Sequence, residues 1–436
     1  MNTIKIKEVI FLKNFLILWF GQSLSQMGSS MTSFALVIWV YRMQGTVISV
    51  ALISVFSYLP YILVSIFAGV LIDRFPKKKI ILICDTIAAI CSLCVFCLMF
   101  LGALEVWHLY VINVISGFMN AFQSPASKVV IGLIVPKEHY TRVSGFRSLT
   151  DSVISVFSPI FATTLVSLVG INLIFAIDFA TFIIAFLSLL FLVKIPSETK
   201  SETECLSKSN IISESIQGFI YLKENKGFLY LMFFMAGVNF IASLAFFSVL
   251  PAMVLARTSN NEKILGLVNG SIGISGIVGS LFVSVSKPVK SKVKAIFVSS
   301  ALSFLLCDML LGVCRNPVLW IFAVFAGNLP IPYLNASENY LLLAKIPNNM
   351  QGRIFSIRST LQFITVPAGY LLGGVLADKV FEPLMTCSER AKHLFGWIVG
   401  AESGSGMALM FIITGILGFS FSIISYSNKY IRMLDD

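Results

Sequence analysis

Apolar runs of about twenty residues, uncharged or nearly so, recur along the whole chain, and no other feature constrains its fold as tightly. A hydrocarbon core about 30 Å thick is crossed by roughly 20 helical residues rising about 1.5 Å each, so each run is long enough to span a bilayer. The runs are Phe15–Tyr41, Val47–Ile72, Ile80–Leu101, Trp107–Ile134, Phe146–Val169, Ile171–Val193, Phe228–Leu255, Ile264–Val285, Ala295–Val313, Pro317–Leu343, Phe355–Ala377 and Gly406–Tyr426, twelve in all. They are too long for barrel strands and lack period-two alternation, so helices must satisfy their backbone. Composition agrees: only 12% of the 436 residues are charged, about half the level of a water-soluble domain. The expectation is an all-α membrane protein of twelve transmembrane helices. The first run follows Lys5, Lys7 and Lys13, but it is too long for a signal-peptide core and has no small-residue cleavage site after it, so it reads as a retained helix.

A net charge of +11 would suggest nucleic acid in a soluble protein. Here position decides otherwise. Most lysines and arginines fall on alternate loops, as in Arg74–Lys79, Lys128–Arg147, Lys194–Lys226, Lys287–Lys294 and Lys345–Arg358. This is the positive-inside pattern, and it places both termini in the cytoplasm of a plasma-membrane protein. Of the eight cysteines, Cys84, Cys91, Cys94, Cys97, Cys307 and Cys314 lie in or at the ends of apolar runs, where they read as packing residues rather than disulfides or metal ligands. No cofactor, metal or nucleic-acid partner is expected, and the chain is read as a monomer in contact with lipid.

The one long polar connection, 194–227, divides six helices from six: an N-terminal bundle 1–193 and a C-terminal bundle 228–436. Ile212, Ile216, Phe219 and Ile220 recur within it at helical spacing, consistent with either a surface amphipathic helix or a plain linker. Pro136, Arg142 and Arg147 recur as Pro347, Arg353 and Arg358, each 211 residues later, and each block leads into a run with an internal proline, Pro159 or Pro367. Six spans per half give the two copies one orientation, the arrangement of parallel repeats with a cavity between them near the midplane.

The loop after the second run reads Gly69, Leu71, Asp73, Arg74, Lys77 and Lys78 at the spacing of a gating motif: a glycine for close packing, an acid to cap a helix, and cations for helix C-termini or lipid phosphates. It resembles the loop motif of the major facilitator superfamily. Trp19, Gly21, Gln22, Ser25 and Gly28 in the first run, Asp178 with its neighbours in the sixth, and Gly373, Gly374 and Asp378 in the eleventh are similar to the bacterial branch of macrolide-efflux proteins and enterobactin exporters. The resemblance implies a proton-coupled exporter of amphipathic compounds, working by alternating access. Two departures stand: the helix-five antiporter motif survives only as Ser158, Pro159 and Ala162, and the second-half loop Lys287–Lys294 keeps its charge without the Gly and Asp.

Ionisable groups inside a bilayer are costly and invite a functional reading. Glu338, Asp178, Asp308 and Asp151 are the proton-coupling candidates, with Glu338 favoured because it shares a stripe with Asn328 and Asn335; an inter-helix hydrogen bond is the alternative. Asp85, Lys128 and Asp151 fit a cytoplasmic network with Arg74, Arg142 and Arg147, and Asp308 is within reach of an ion pair with Arg315. A polar stripe of Gln22, Gln26, Ser29 and Ser33, with Asn113, Asn120 and Asn239, should line the substrate cavity, whose sparse polarity suits a bulky amphipathic or cationic molecule. His108, His139 and His393 are scattered, and no nucleophile–base set or Walker loop is present, which argues against an enzyme. A non-transporting receptor or scaffold, and an exporter of siderophores, lysophospholipids or peptides, stay open as alternatives.

Overall fold

A computed structural model describes residues 2–134, 140–193, 219–286, 289–346 and 348–435. Every regular element among them is helical: α1 (Asn2–Gln44), α2 (Val47–Arg74), α3 (Lys77–Phe100), α4 (Val106–Ile134), α5 (Tyr140–Leu168), α6 (Ile171–Leu187), α7 (Lys226–Leu244), α8 (Leu250–Arg257), α9 (Glu262–Val285), α10 (Lys292–Ser303), α11 (Pro317–Asn328), α12 (Ile331–Lys345), α13 (Asn348–Phe363), α14 (Val366–Leu376), α15 (Glu382–Cys387), α16 (Glu389–Val399), α17 (Ser405–Tyr426) and α18 (Lys429–Arg432). The chain is a membrane protein of twelve spanning helices. Ten spans are long and apolar by themselves, and α1 and α4 hold the remaining two runs.

Several expected runs are interrupted, and proline explains where. Pro251, Pro332 and Pro367 sit in the first turns of α8, α12 and α14, where a missing N–H costs nothing, so each begins a new helix. The seventh, tenth and eleventh runs are therefore each two helices, and Pro367 is not internal to its helix as Pro159 is. Pro60, Pro125 and Pro159, by contrast, lie inside α2, α4 and α5. Three spans carry a π turn: Ser188–Leu192 after α6, Phe304–Met309 after α10 and Ala377–Phe381 after α14.

Two compact units result. One comprises Met1–Trp39 and Phe56–Ser207, the other Val40–Val55 and Lys208–Asp436. In the first, α3 packs on α4 and α6, and α5 on α6. Phe15, Leu18, Ile81, Val130, Leu189 and Val193 make one apolar core, and Met31, Ala35, Ala162 and Ile174 a smaller one. In the second, α7 packs on α13 and α14, α10 on α12 and α17, and α9 on α11. Its main core runs from Leu222 through Phe234, Phe297, Leu342 and Ile357 to Leu434. The tip between α1 and α2 belongs to this second unit: Asp378 accepts from the backbone N–H of Val47 (3.0 Å) and Ile48 (2.8 Å), and Arg42 pairs with Glu262 at 2.6 Å. Of the expected surface helix, residues 211–218 lie outside the described residues, and 219–224 are helical, with Leu222 buried.

Candidate functional site

The polar stripe of α1 faces a cavity of 350 Å³ in the first unit, lined from α1, α3, α4, α5 and α6. Gln22, Gln26, Ser29 and Ser33 all contribute to it, as their three- and four-residue spacing requires of one helix face. Asn113 and Asn120 also line it from α4, and the Asn113 amide donates to its own helix at Leu109 O (2.8 Å).

Two carboxylates organise the cavity in two layers. In the first, Asp85 of α3 accepts from Gln22 Nε2 of α1 at 3.1 Å and from Gln123 Nε2 of α4. In the second, Asp178 of α6 accepts from Ser29 Oγ of α1 at 3.0 Å and Ser92 Oγ of α3 at 2.9 Å. Gln22 and Ser29 on α1 are seven residues apart, as are Asp85 and Ser92 on α3. Seven residues are two turns, or about 10.5 Å of rise, so one register of α1 against α3 builds both layers. Gly28 makes the close approach possible: a Cβ there would lie 3.0 Å from Asp178 Cα and 3.1 Å from its Oδ1. To one side, Thr150 of α5 accepts from Trp19 Nε1 at 2.8 Å and shares a hydrogen bond with Ser23 at 2.9 Å.

The electrostatics follow from the partners. Asp85 is 7% and Asp178 2% exposed, and each is held by two neutral donors. Among the described lining residues there are two carboxylates and no Lys, Arg or His. A buried anion without a cation is costly. It is relieved by a proton or by a positively charged ligand, and because glutamine and serine side chains both donate and accept, the network can be hydrogen-bonded in either state.

The second unit treats its acids differently. Glu338, 1% exposed, forms an ion pair with Arg358 Nη2 at 2.6 Å and accepts from Gln362 Nε2 at 2.5 Å; Arg358 Nη1 also donates to Asn339 at 2.9 Å. Asn239 Nδ2 donates to Gln362 O at 3.1 Å, which ties α7 to α13. The stripe expected to join Asn328, Asn335 and Glu338 is broken, since α11 ends at Asn328 and α12 starts at Ile331 beyond Pro330. The Asn328 amide bonds Val324 O (2.9 Å), and Asn335 is exposed. Asp308 lies on the π turn after α10 and accepts from Thr414 Oγ1 at 3.1 Å. The ion pair expected between Asp308 and Arg315 is absent among the described residues, because Arg315 is spent on backbone carbonyls of α16.

Asp151 is exposed on α5. The side chains of Lys128, Arg142 and Arg147, and those of Gly69, Leu71, Asp73 and Arg74, lie outside the described residues. Of the gating motif, Lys77 is buried, and Lys78 Nζ donates to Leu190 O (3.1 Å) and Val193 O (2.8 Å), a cation on the last carbonyls of the sixth span. Gln123, Ser92 and Thr150, and Asp85 with them, are cavity residues beyond those expected from the sequence. The seven-residue spacing of Asp85 and Ser92 was the available signal.

Residues 18–370 match the Major Facilitator Superfamily. The chain is 24% identical over 368 residues to "Macrolide efflux protein A" of Streptococcus pyogenes, covering 84% of this chain and 90% of that one. It is 25% identical over 318 residues to the Enterococcus faecalis protein of the same name, covering 72% and 97%. Among solved structures, a bacterial homologue of the iron transporter ferroportin in an inward-facing state aligns with a TM-score of 0.66 at 15% identity, covering 96% of this chain and 99% of that one. The nucleoside transporter NupG aligns with a TM-score of 0.65 at 14% identity, covering 95% and 100%. At those identities the two structures bear on fold alone.

Proposed function

We propose that this chain, which belongs to the Major Facilitator Superfamily and is a multi-pass membrane transporter rather than an enzyme, exports an amphipathic, macrolide-like compound in exchange for protons. The observation that carries the reading is the pair Asp85 and Asp178, buried in one cavity and held only by neutral donors among the described residues. Either can take up or release a proton without breaking an ion pair. Trp19, Met119, Phe179 and Phe182 supply apolar surface around them for the body of the ligand. The relatives named for macrolide efflux, matched over most of their length, support the substrate class. The protein works as a monomer in the plasma membrane, both termini in the cytoplasm, and moves its substrate outward by alternating access.

In this scheme Asp178 is the proton carrier. It is the less exposed of the two acids, and its clamp joins α1, α3 and α6, so a change in its charge changes how firmly α1 is held. Asp85, with two amides that can rotate away, meets the positive end of the substrate. Glu338 serves as an inter-helix tie through Arg358. One proton moving down a potential of 100 mV releases about 2.3 kcal/mol, enough at full coupling for roughly fifty-fold accumulation on the far side.

The test is efflux of a macrolide and of a fluorescent amphipathic cation from cells expressing the wild type, Asp85→Asn, Asp178→Asn and Glu338→Gln, with the pH gradient present and then collapsed. Efflux that needs the gradient and is lost in both Asp variants supports the reading. Loss only in Glu338→Gln moves the coupling to the second unit. No flux of either compound by well-expressed wild type turns the substrate toward siderophores, lysophospholipids or peptides, and no flux of any of these would leave a receptor or scaffold.

A further inference from the structure

The segment between the eleventh and twelfth spans folds into α15 and α16, at the end of the second unit opposite α18. α16 is two-faced along its length as well as around it. Its first turn is wet: Ser388 caps it by accepting from Ala391 N, Glu389 is 87% exposed and Lys392 pairs with Glu389 at 2.9 Å. Beyond the exposed His393, its last six residues, Leu394–Val399, are apolar and partly uncovered, with Leu394 62% and Trp397 77% exposed, three residues apart on one side.

The C-terminus of α16 is finished in an unusual way. The last four carbonyls of any helix lack intrahelical partners and normally turn to water. Here Arg315 Nη2 donates to Gly396 O (3.0 Å), Trp397 O (3.0 Å) and Ile398 O (3.4 Å), and Arg257 Nη2 donates to Val399 O (2.5 Å). Gly396 O also accepts from the backbone N–H of Gly400 (2.9 Å), so the arginines meet carbonyls of the last turn that have no donor within the helix. A helix end capped by side chains in this way leaves fewer carbonyls for water to meet, which lowers the cost of placing it against a low-dielectric layer.

Position supplies the occupant. Six residues after Val399 the chain enters α17, a 22-residue span that exposes Ile413, Ile416 and Leu417, and α16 is preceded by the exposed Val380 and Leu384 at the end of the eleventh span. The uncovered face of α16 thus lies in chain between two lipid-facing surfaces, at the level where spans end. Tryptophan favours that level, since its ring is apolar and its N–H polar.

We propose that α16 is a membrane-interface helix: Leu394 and Trp397 lie among the headgroups and upper acyl chains of the bilayer, while the Glu389 turn stays in water. Glu382 of α15 accepts from Gly404 N (2.5 Å) and Met407 N (3.2 Å), which ties the segment before α16 to the start of α17 after it. The bilayer surface, and not a second protein, covers this face.

The test uses the full chain reconstituted in phosphatidylcholine vesicles with bromine either high or low on the acyl chain. Subtracting the tryptophan emission of Trp397→Phe from that of the wild type isolates Trp397; Trp397→Tyr serves the same subtraction if Phe disturbs folding. The expected result is blue-shifted emission, quenched at least about twofold more by shallow than by deep bromine, as burial by about 5–10 Å requires. Emission quenched by iodide in the water and not by brominated lipid overturns the proposal in favour of a water-facing helix. Emission quenched by neither overturns it in favour of a covering protein, a second copy of this chain included. None of these outcomes depends on what the protein transports.

Discussion

Asp178 in the first unit and Glu338 in the second are almost equally buried, at 2% and 1% exposure, yet their chemistry differs because their partners do. Asp178 faces a cavity and is held by two serine hydroxyls. Glu338 is held by a guanidinium and an amide. Burial alone therefore does not mark a proton carrier in a membrane protein. An acid tied to a cation has its charge compensated already, and protonating it strands the cation; an acid tied to neutral donors can change state where it stands.

The comparison breaks most directly at Asp178 and Asp85. Asp178→Asn keeps the size of the side chain and an acceptor, and it should lower gradient-driven efflux at least about tenfold, equivalent to about 1.4 kcal/mol or more on the transport barrier, with little loss of melting temperature. A variant that still pumps against the gradient would remove Asp178 from the coupling step.

Glu338→Gln should act on stability first. It leaves the partly buried Arg358, 16% exposed, without its anion, at a cost of up to about 3 kcal/mol, measured as a lowered melting temperature in detergent. Adding Arg358→Gln should recover much of that loss and leave gradient-dependent efflux in place. If the double variant is stable but uncoupled, Glu338 carries the proton after all.

Gly28→Ala sharpens the comparison by moving α1 without replacing an acid. The added methyl meets Thr181 Oγ1 first and Asp178 at 3.0–3.1 Å, and should cost about 1–3 kcal/mol while weakening the bond from Ser29. Efflux that falls in step with the position of α1, read by crosslinking α1 to α6, supports the clamp; unchanged efflux argues against it. The smallest effect is expected at Thr414→Val, which removes the hydroxyl donated to Asp308 and should cost about 1–3 kcal/mol of stability with efflux intact.

The residues the sequence singled out divide by the physics behind them. The stripe of Gln22, Gln26, Ser29 and Ser33 was legible because a polar face on an apolar helix cannot face lipid, and the structure turns it into the cavity. Asp85 was legible as an intramembrane acid but not as a cavity group, since its partners Gln22 and Gln123 lie 63 and 38 residues away in the chain. Asp308 was misjudged because Arg315 is near in sequence, whereas the fold brings Thr414 to the acid and gives the arginine to α16. The tenth span stands as expected, but its division into α11 and α12 is not legible in hydropathy, which does not register that Pro332 starts a new helix.

Length, low charge and the recurrence of long apolar runs determined that the chain is a twelve-span membrane protein. Those properties are sums over many residues and need no knowledge of contacts. Only the tertiary structure decided which acids face neutral donors and which a cation, because a single residue's partner is set by how helices pack side by side, and spacing within one helix does not say which other helix comes to face it.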